Sequence, residues 1–380
     1  LPLRHPVTAD RRSPVPFSLD DLRRWPDLEG PDLVAVDAAD RLILDESEAA
    51  RVDAPEGGLV VIDDAYGALT LAAAADGARG IRVHQDALTG ERALSANADR
   101  AGLDATFTHH PLDAGLLRDA RVVLLRLPRA LRALHDIAGL IAAHTHPDVV
   151  VFAGGRLKYM TPTMNDVLGE HFTRVDVTHA RQKSRVLVAR GPHDGADPRP
   201  EAATVDGLEV RAFGGAFAGA SIDIGTRLLL AHLPDPVDGA IDFACGTGVV
   251  AAAWALRHPS VHVVATDQSA VAVASARATA AANGVADRIE VVRDDLLASR
   301  PDASASLIAL NPPFHTGGAI TESIAPRMFA DAARVLHPGG ELWTVWNSAL
   351  HYRPALERIV GPTRQVARDR KFTVTVSTRR

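Results

Sequence analysis

The chain has 380 residues, 47% hydrophobic and 23% charged, with a formal net charge of −6 at pH 7. This length favours two domains over one, the net charge excludes a protein coated in nucleic-acid-binding charge, and the single cysteine, Cys245, excludes an intrachain disulfide. No apolar run approaches the ~18 residues of a membrane-spanning helix and no signal peptide is recognisable, so we expect a cytoplasmic protein.

The first half alternates apolar strands with helices, a pattern typical of parallel α/β sheets. Residues 58–69 read as a strand, a turn and an alanine-rich helix, and 81–86 read as a strand ending near Asp86. A third strand, 122–129, ends in Arg-Leu-Pro-Arg. Residues 191–203 are rich in glycine, proline and charge, which predicts a linker between a domain over 1–190 and a domain over 204–380.

The second half repeats the alternation more clearly. Its predicted strands lie near 239–244, 261–266, 288–293, 305–310, 340–346, 364–368 and 372–378. Its main predicted helices lie near 249–257, 269–283, 321–336 and 352–360.

The first chemical motif of this half is a glycine-rich turn after a buried strand. Residues 239–248 read Gly-Ala-Ile-Asp-Phe-Ala-Cys-Gly-Thr-Gly, and such glycines let a backbone approach a ligand closely. The candidate cofactor residues here are Asp242, Cys245, Gly246, Thr247 and Gly248. Ala251 stands where a dinucleotide fingerprint has its third glycine, but alanine is tolerated there, so this motif alone leaves a dinucleotide site open.

Acidic residues end the next two strands. Asp267, with Gln268 beside it, follows the strand 261–266, and a carboxylate at that place can bind both ribose hydroxyls of a nucleoside-containing cofactor. Asp294 and Asp295 follow the next strand, where a carboxylate could accept a hydrogen bond from an adenine amino group.

The fourth motif, Asn-Pro-Pro-Phe-His at 311–315, directly follows an apolar strand. The Asn311 side-chain oxygen and the Pro312 carbonyl can accept both hydrogens of one planar NH2 group, while Pro313 stiffens the turn. Phe314 offers a flat face for a base. His315 either contacts a phosphate or the base edge, or shapes the rim of the pocket. The motif favours methyl transfer to a ring amine, with Asn311, Pro312 and Phe314 as catalytic candidates and Pro313, Phe314 and His315 as substrate-binding candidates.

The order and spacing of the four motifs support one shared ligand site more strongly than any single motif does. All end strands of one predicted sheet, at the edge where open α/β sheets bind ligands. The first half keeps the order but loses the chemistry, since Ala65 and Tyr66 stand where glycines are expected and Arg126-Leu127-Pro128 replaces Asn-Pro-Pro. We therefore interpret residues 1–190 as a degenerate copy.

This order of motifs resembles class I S-adenosylmethionine-dependent methyltransferases. The stretch 311–315 resembles the ribosomal RNA guanine-N2 methyltransferases, and 217–230 is similar to the segment preceding the cofactor turn in that family. The final strand around 370–374 is also similar, with a changed order of basic and aromatic residues. In the first half, 63–69 and 180–186 resemble the large-subunit member of the family more than the small-subunit one.

The resemblance implies two tandem Rossmann-like methyltransferase domains, each a mostly parallel seven-stranded sheet flanked by helices, with the first degenerate. It implies S-adenosyl-L-methionine as cofactor, with Asp242 near its methionine amino group and Asn311 touching both cofactor and substrate. It favours Asp295 over Asp294 at the adenine amino group, because the two leucines after Asp295 resemble the family's adenine wall. The implied reaction methylates guanine N2 in ribosomal RNA, free or in a ribosomal subunit. Methylation of adenine N6 or of protein glutamine stays open, as does a non-catalytic RNA-binding protein with a vestigial cofactor fold.

Other features bear on partners. No histidine or cysteine spacing indicates a metal, and two fused domains make a monomer the expected state. Asp223 and Thr226 either order the segment covering the cofactor or cap a helix. The first 203 residues hold 24 basic and 30 acidic groups, which counts against a broad basic face. Phosphate contacts are therefore expected only from local basic stretches. These stretches are 126–129, 181–185 and the last 17 residues. The six basic groups of the last stretch either contact phosphates or blunt a solvated edge strand.

Overall fold

The computed structural model describes residues 17–313 and 318–380, and for 318–323 it describes the backbone alone. The described residues form two seven-stranded sheets and a two-stranded hairpin between them in sequence. Among the described helices, none combines the length and the apolar character needed to cross a bilayer.

The first sheet takes its strands from residues 59–192. They are β1 Leu59–Ile62, β2 Ile81–His84, β3 Phe107–His109, β4 Val122–Arg126, β5 Val150–Arg156, β6 Phe172–Val177 and β7 Ser184–Pro192. The helices of this half are α1 Ala38–Val52, α2 Ala68–Ala75, α3 Leu88–Ala101, α4 Ala114–Leu117, α5 Leu131–His144 and α6 Thr163–Gly169. A hairpin follows, made of β8 Glu201–Val205 and β9 Leu208–Ala212.

The second sheet lies within residues 240–378. Its strands are β10 Ala240–Phe243, β11 Val263–Asp267, β12 Ile289–Arg293, β13 Ala305–Leu310, β14 Leu336–Asn347, β15 Thr363–Arg368 and β16 Phe372–Thr378. The helices of this half are α7 Ile224–Leu230, α8 Val249–Arg257, α9 Ala270–Ala282, α10 Gly318–Val335 and α11 Arg353–Ile359.

The two sheets have the same topology, strand for strand. Their orders are β3-β2-β1-β4-β5-β7-β6 and β12-β11-β10-β13-β14-β16-β15. In each of these orders the first five strands are parallel to one another. The sixth, β7 or β16, is antiparallel to both of its neighbours. This confirms the predicted fold class. It also sets the polar groups that follow β10, β11, β12 and β13 at one edge of one sheet.

Helices cover both faces of each sheet, which explains why the central strands are continuous apolar runs and not alternating ones. All four residues of β1 are buried, and so are all four of β10. Each half has two buried apolar clusters, one on each face of its sheet. Each half therefore has a core large enough to fix the strand ends that carry its polar groups.

The predicted linker, 191–203, is shorter in the structure. Strand β7 continues through Pro192, and β8 begins at Glu201. The remaining residues pack on the first half, because the Ala196 N–H donates to the Gly139 carbonyl at 3.1 Å and Asp197 pairs with His144. Composition suggested free chain here, but β7, which lies between β5 and β6, includes Gly191 and Pro192 at its end, beyond its last pairing with β5.

The two halves meet through equivalent strand ends. The Leu88 N–H donates to the Gln268 carbonyl at 3.0 Å, and the Ala270 N–H donates to the Asp86 carbonyl at 2.9 Å. This reciprocal pair joins the start of α3 to the start of α9. The side chain of Asp86 also accepts hydrogen bonds from Ser269 Oγ at 3.0 Å and from the Val271 N–H at 2.9 Å.

An arginine from the second sheet completes this interface. Arg293 pairs with Glu91 at 2.7 Å and donates to the carbonyls of Gln85 and Asp86. The interface is thus polar and fixed by direction-dependent bonds, and it lies beside the end of β11.

We predict that Asp86→Ala weakens this interface. The substitution leaves the Val271 N–H of α9 and the Ser269 hydroxyl without their carboxylate acceptor, which costs about 1–2 kcal/mol of folding free energy by analogy with lost helix caps. The midpoint of thermal unfolding should fall, whereas Asp32→Ala, which removes an exposed carboxylate of the same half, should leave it unchanged. Equal midpoints for the two variants would contradict the prediction.

Candidate cofactor and substrate site

The glycine-rich turn after β10 has the backbone geometry that its sequence predicts. Gly246 and Gly248 have φ angles of +54° and +73°, in the region that favours glycine. A Cβ added to Gly248 would lie 2.8 Å from the Cβ of Ala276 on α9, so that glycine is needed for packing. A Cβ added to Gly246 would meet no atom within 4 Å, so this side of the turn is open to a ligand.

Asp267 lies at the end of β11 and holds the turn. Its carboxylate accepts hydrogen bonds from the Gly246 N–H and the Ser269 N–H, each at 3.0 Å. Burial raises the pKa of this carboxyl. Because a carboxylate has about four acceptor positions, two bonds to the backbone leave capacity for two hydroxyl groups.

Asp242 and Cys245 are buried beneath the turn. The Asp242 carboxylate accepts from the Ala251 N–H at 3.0 Å and so binds the first turn of α8. Burial raises the pKa of Asp242 to about 7, and the nearby charge of Asp267 acts in the same direction. Burial also raises the pKa of the Cys245 thiol, which makes it a poor nucleophile.

The acidic pair after β12 has two different environments. Asp294 is buried, and its oxygens accept from the N–H groups of Asp295 and Ser299 at 2.9 and 2.8 Å. Asp295 pairs at 3.0 Å with Arg92, a residue of α3 in the first half. Which of the two acids would accept from an adenine amino group stays a prediction. Gln268 is exposed, and its Oε1 accepts from Thr89 Oγ1 across the same interface.

Asn311 lies at the end of β13, and the NH2 group of its side-chain amide has hydrogen-bond partners whereas the oxygen has none in the described structure. Its Nδ2 donates to Thr226 Oγ1 at 2.8 Å and lies 3.4 Å from Asp223 Oδ2. Its Oδ1 is buried and accepts no hydrogen bond within the described structure. A buried acceptor without a donor costs about 1–3 kcal/mol, so such an atom calls for a functional explanation.

Asp223 has a second task, which the sequence suggested as one of two alternatives. Its Oδ2 accepts from the N–H groups of Gly225 and Thr226, so it is the N-cap of α7. The contact of Asp223 and Thr226 with Asn311 was not predicted. The only sequence signal for it was the stretch 217–230, which precedes the turn in the family that the chain resembles.

The glycine turn, the segment before α7 and the end of β13 line one small pocket. Its polar lining includes Ser221, Asp223, Thr226, Asp242, Thr247 and Asn311. Pro312 follows Asn311 and is buried, and Pro313 is exposed. Phe314 and His315 lie outside the described residues, so their predicted stacking and rim positions stay predictions.

The structure changes what was expected of Arg126 and Arg181, which lie in two of the predicted phosphate-binding stretches. Arg126 is not available to phosphates, because it pairs with Asp37 at 2.9 Å and with Asp40 at 2.6 Å. Arg181 is exposed but pairs with Asp45 and Glu46. Both were candidate phosphate contacts, and both are neutralised by α1 or its N-cap.

Possible metal ligands come together in the first half, where the sequence indicated none. The ligand atoms of His135, Glu170 and His171 lie within 4.8 Å of one another, and His171 alone is buried. The cluster combines residues from α5 and from the turn after α6, so spacing along the sequence could not reveal it. The expectation of no metal therefore stays a prediction.

The fold and the site together define the class of protein. A seven-stranded sheet of this order, a glycine turn after its first strand, and acidic residues after the next two strands are the features of a class I S-adenosylmethionine-dependent methyltransferase. Asn-Pro-Pro follows the fourth strand, and its Asn311 lines the same pocket as the glycine turn.

Comparisons with known proteins agree with this class and identify the family within it. Residues 207–376 match the Methyltransferase small domain family, and residues 13–193 match the RLMG N-terminal domain family. Ribosomal RNA large subunit methyltransferase G of Streptomyces coelicolor is 36% identical over 95% of this chain and 98% of its own length. The protein of that name from Shewanella amazonensis is 32% identical over 93% and 94%.

A solved structure shares the fold. It is the T. thermophilus 16S rRNA N2 G1207 methyltransferase (RsmC) in complex with AdoMet and guanosine, with a TM-score of 0.72. At 19% sequence identity, it covers 90% of this chain and 92% of its own. The chain belongs to the ribosomal RNA large subunit methyltransferase G family, as the resemblance of its first half suggested.

Two substitutions should distinguish the packing role of Gly248 from the ligand-facing role proposed for Gly246. Gly248→Ala should lower the thermal midpoint, because the added Cβ meets Ala276 in addition to the cost of a positive φ. Gly246→Ala bears the cost of the positive φ but meets no protein atom, so it should reduce S-adenosylmethionine affinity at least tenfold by occupying ligand space. Calorimetry and thermal unfolding of both variants test this, and wild-type affinity for Gly246→Ala would contradict it.

Proposed function

We propose that the chain transfers a methyl group from S-adenosyl-L-methionine to the exocyclic N2 amine of a guanine in ribosomal RNA of the large subunit. The observation that carries the proposal is the amide of Asn311. Its NH2 group is occupied by Thr226, which leaves its buried Oδ1 as an acceptor facing a pocket beside the glycine turn. An acceptor of this kind suits a substrate that donates, which an exocyclic amine does.

S-adenosyl-L-methionine is the methyl donor, and its sulfonium carries the methyl group in activated form. The open side of the turn at Gly246 and the free acceptor capacity of Asp267 fit a nucleoside-containing group. Asp242 lines the pocket beside Asn311 and supplies a carboxyl near the place proposed for the methionine amino group. These residues bind and orient the donor.

The chemical difficulty lies in the amine. The lone pair of guanine N2 is delocalised into the ring, which makes the nitrogen a weak nucleophile. Asn311 Oδ1 and the Pro312 carbonyl would accept its two hydrogens and favour a pyramidal nitrogen whose lone pair points at the methyl carbon. A nitrogen–carbon bond then forms as the carbon–sulfur bond breaks, and the product nitrogen loses one proton to water. The rate gain comes mainly from orientation, since the donor needs no acid.

The curated relatives are named for large-subunit ribosomal RNA, which supports this RNA as the substrate. A cytoplasmic location follows from such a substrate, and we propose that the chain acts as a monomer. The pocket itself accepts any planar NH2 group, so adenine N6 and protein glutamine are the outcomes that an experiment must separate.

The direct test measures tritiated-methyl transfer from S-adenosylmethionine to large-subunit RNA, small-subunit RNA, DNA and protein, each unmodified at the outset. Digestion to nucleosides should place the label in N2-methylguanosine from large-subunit RNA. Label in N6-methyladenosine, in protein or only in small-subunit RNA would refute the proposal in its present form.

Asn311→Ala should abolish turnover while leaving cofactor affinity within about 1 kcal/mol, because Asn311 is proposed to act on the amine and its transition state. Single-turnover rates and calorimetry provide the two measurements. A near-normal kcat would exclude the proposed mechanism, and loss of cofactor binding would instead make Asn311 mainly a cofactor ligand.

Thr226 should act as a positioning residue for that amide. Thr226→Val keeps the shape of the side chain but removes the acceptor of Asn311 Nδ2, so the amide loses a bond worth about 0.5–1.5 kcal/mol and kcat should fall about 2- to 12-fold. Thr226→Ser keeps the hydroxyl and should keep the rate. If the valine and serine variants have equal kcat values and thermal midpoints like the wild type, the amide does not depend on Thr226.

A further inference from the structure

Two histidines and a glutamate meet where α5 packs against the turn between α6 and β6. His135 lies on α5, Glu170 caps the C-terminus of α6, and His171 follows it directly. One ligand atom of each residue lies within 4.8 Å of those of the other two. His135 Nε2 is 3.5 Å from Glu170 Oε2, and the two imidazole rings meet edge to face with their centres 4.8 Å apart. We call these three residues the His-Glu cluster.

His171 has the hydrogen-bond pattern of a metal ligand. It is 6% exposed, and its Nδ1 lies 3.1 Å from the Asp194 carbonyl, which can only accept, so Nδ1 carries the proton. Burial also lowers the pKa of this imidazole, which keeps the ring neutral near pH 7. Its Nε2 is therefore a buried lone pair, and within the described residues it has no hydrogen-bond partner. Histidines that bind metals commonly donate their other ring N–H to a backbone carbonyl in this way.

The surroundings direct this nitrogen towards α5. A Cβ added to Gly139, one turn after His135, would lie 3.3 Å from Cε1 of His171 and 3.5 Å from its Nε2, so the glycine makes room for the ring. His135 contributes a second buried nitrogen, its Nδ1, which also lacks a hydrogen-bond partner among the described residues. The nearest carboxylate oxygen to it, on Asp136, is 3.8 Å away. Buried nitrogens without partners cost free energy, which a bound cation would offset.

We propose that the His-Glu cluster binds one Zn²⁺ ion, with water in the fourth coordination position. Two imidazoles and one carboxylate are a ligand set that zinc takes in proteins. Zinc distances of about 2.0–2.2 Å bring tetrahedral ligand atoms to about 3.4 Å from one another. The exposed Glu170 and the partly exposed His135 can close that difference, since neither is held by close packing. The proposal goes against the expectation of no metal, which rested on spacing along the chain.

The ion would be structural, joining α5 to the turn after α6, and its binding is independent of methyl transfer. Asp136, next to His135, accepts from the Gly214 N–H at 2.8 Å, so α5 also contacts the segment that leads into the catalytic half. A ligand that binds the folded chain and not the unfolded one stabilises the fold. Zinc should therefore raise the midpoint of thermal unfolding.

The test is calorimetric titration of Zn²⁺ into the full chain, treated with a chelator beforehand and carrying no polyhistidine tag. The wild type should bind one ion per chain. His171→Asn removes Nε2 but keeps an N–H that can donate to the Asp194 carbonyl, and Glu170→Gln removes one charge at an exposed position. Each should weaken zinc binding more than about tenfold, the smallest loss typical when a mere outer-shell partner of a ligand is removed.

The matched control is His146→Gln, which removes a histidine of the same half with one carboxylate beside it, Asp148 at 3.7 Å. It should keep the wild-type stoichiometry and affinity. Co²⁺ gives a spectroscopic readout, because four-coordinate Co²⁺ absorbs visible light far more strongly than the hydrated ion, and this absorption should be lost in both cluster variants. No zinc binding by the wild type, or equal binding by all four proteins as for an adventitious surface ion, would overturn the proposal. If His171→Asn does not fold, Glu170→Gln alone decides.

Discussion

One carboxylate of the first half, that of Asp86, binds the start of a helix of the second half. The first N–H groups of any α-helix have no partner within the helix, and for α9 the Asp86 side chain accepts from Ser269 Oγ and the Val271 N–H. Helix α9 begins three residues after Asp267, the strand end proposed for the ribose. The first half therefore helps to fix the backbone beside the proposed ribose site, although it lacks the open glycine of the second half.

The duplication shows which tasks of the fold are structural and which are chemical. Asp64 accepts from the Thr70 N–H in the first half, as Asp242 accepts from the Ala251 N–H in the second, so a carboxylate binds the first turn of the helix in both. The open glycine is missing, because Ala65 stands two residues before the N-cap Gly67 of α2, as Gly246 stands two residues before the N-cap Gly248 of α8. The hydroxyl of the neighbouring Tyr66 donates to Asp27. A carboxylate that binds the start of the helix is thus present in both halves, although at different positions. The open glycine that lets a ligand approach is present in the second half alone.

The sequence allowed most of the second half to be predicted, because apolar runs and turn residues are local signals. Helix α8 has the predicted bounds, and β13 and β16 do as well. What the sequence could not show are contacts between distant residues. Thr226 and Asn311 are 85 positions apart, and Arg126 is 86 from Asp40. An arginine in a turn looks like a phosphate contact until the fold brings a carboxylate to it.

The one-sided fixing of the Asn311 amide has a consequence for the product. On the proposed mechanism, two oxygen acceptors are satisfied only by a nitrogen that brings two hydrogens. After one transfer the amine has a single hydrogen, so a second binding event would leave a buried oxygen without a donor and would place a methyl group against it. On that mechanism the site would distinguish its substrate from its own product, and we expect the reaction to end at the monomethylated base.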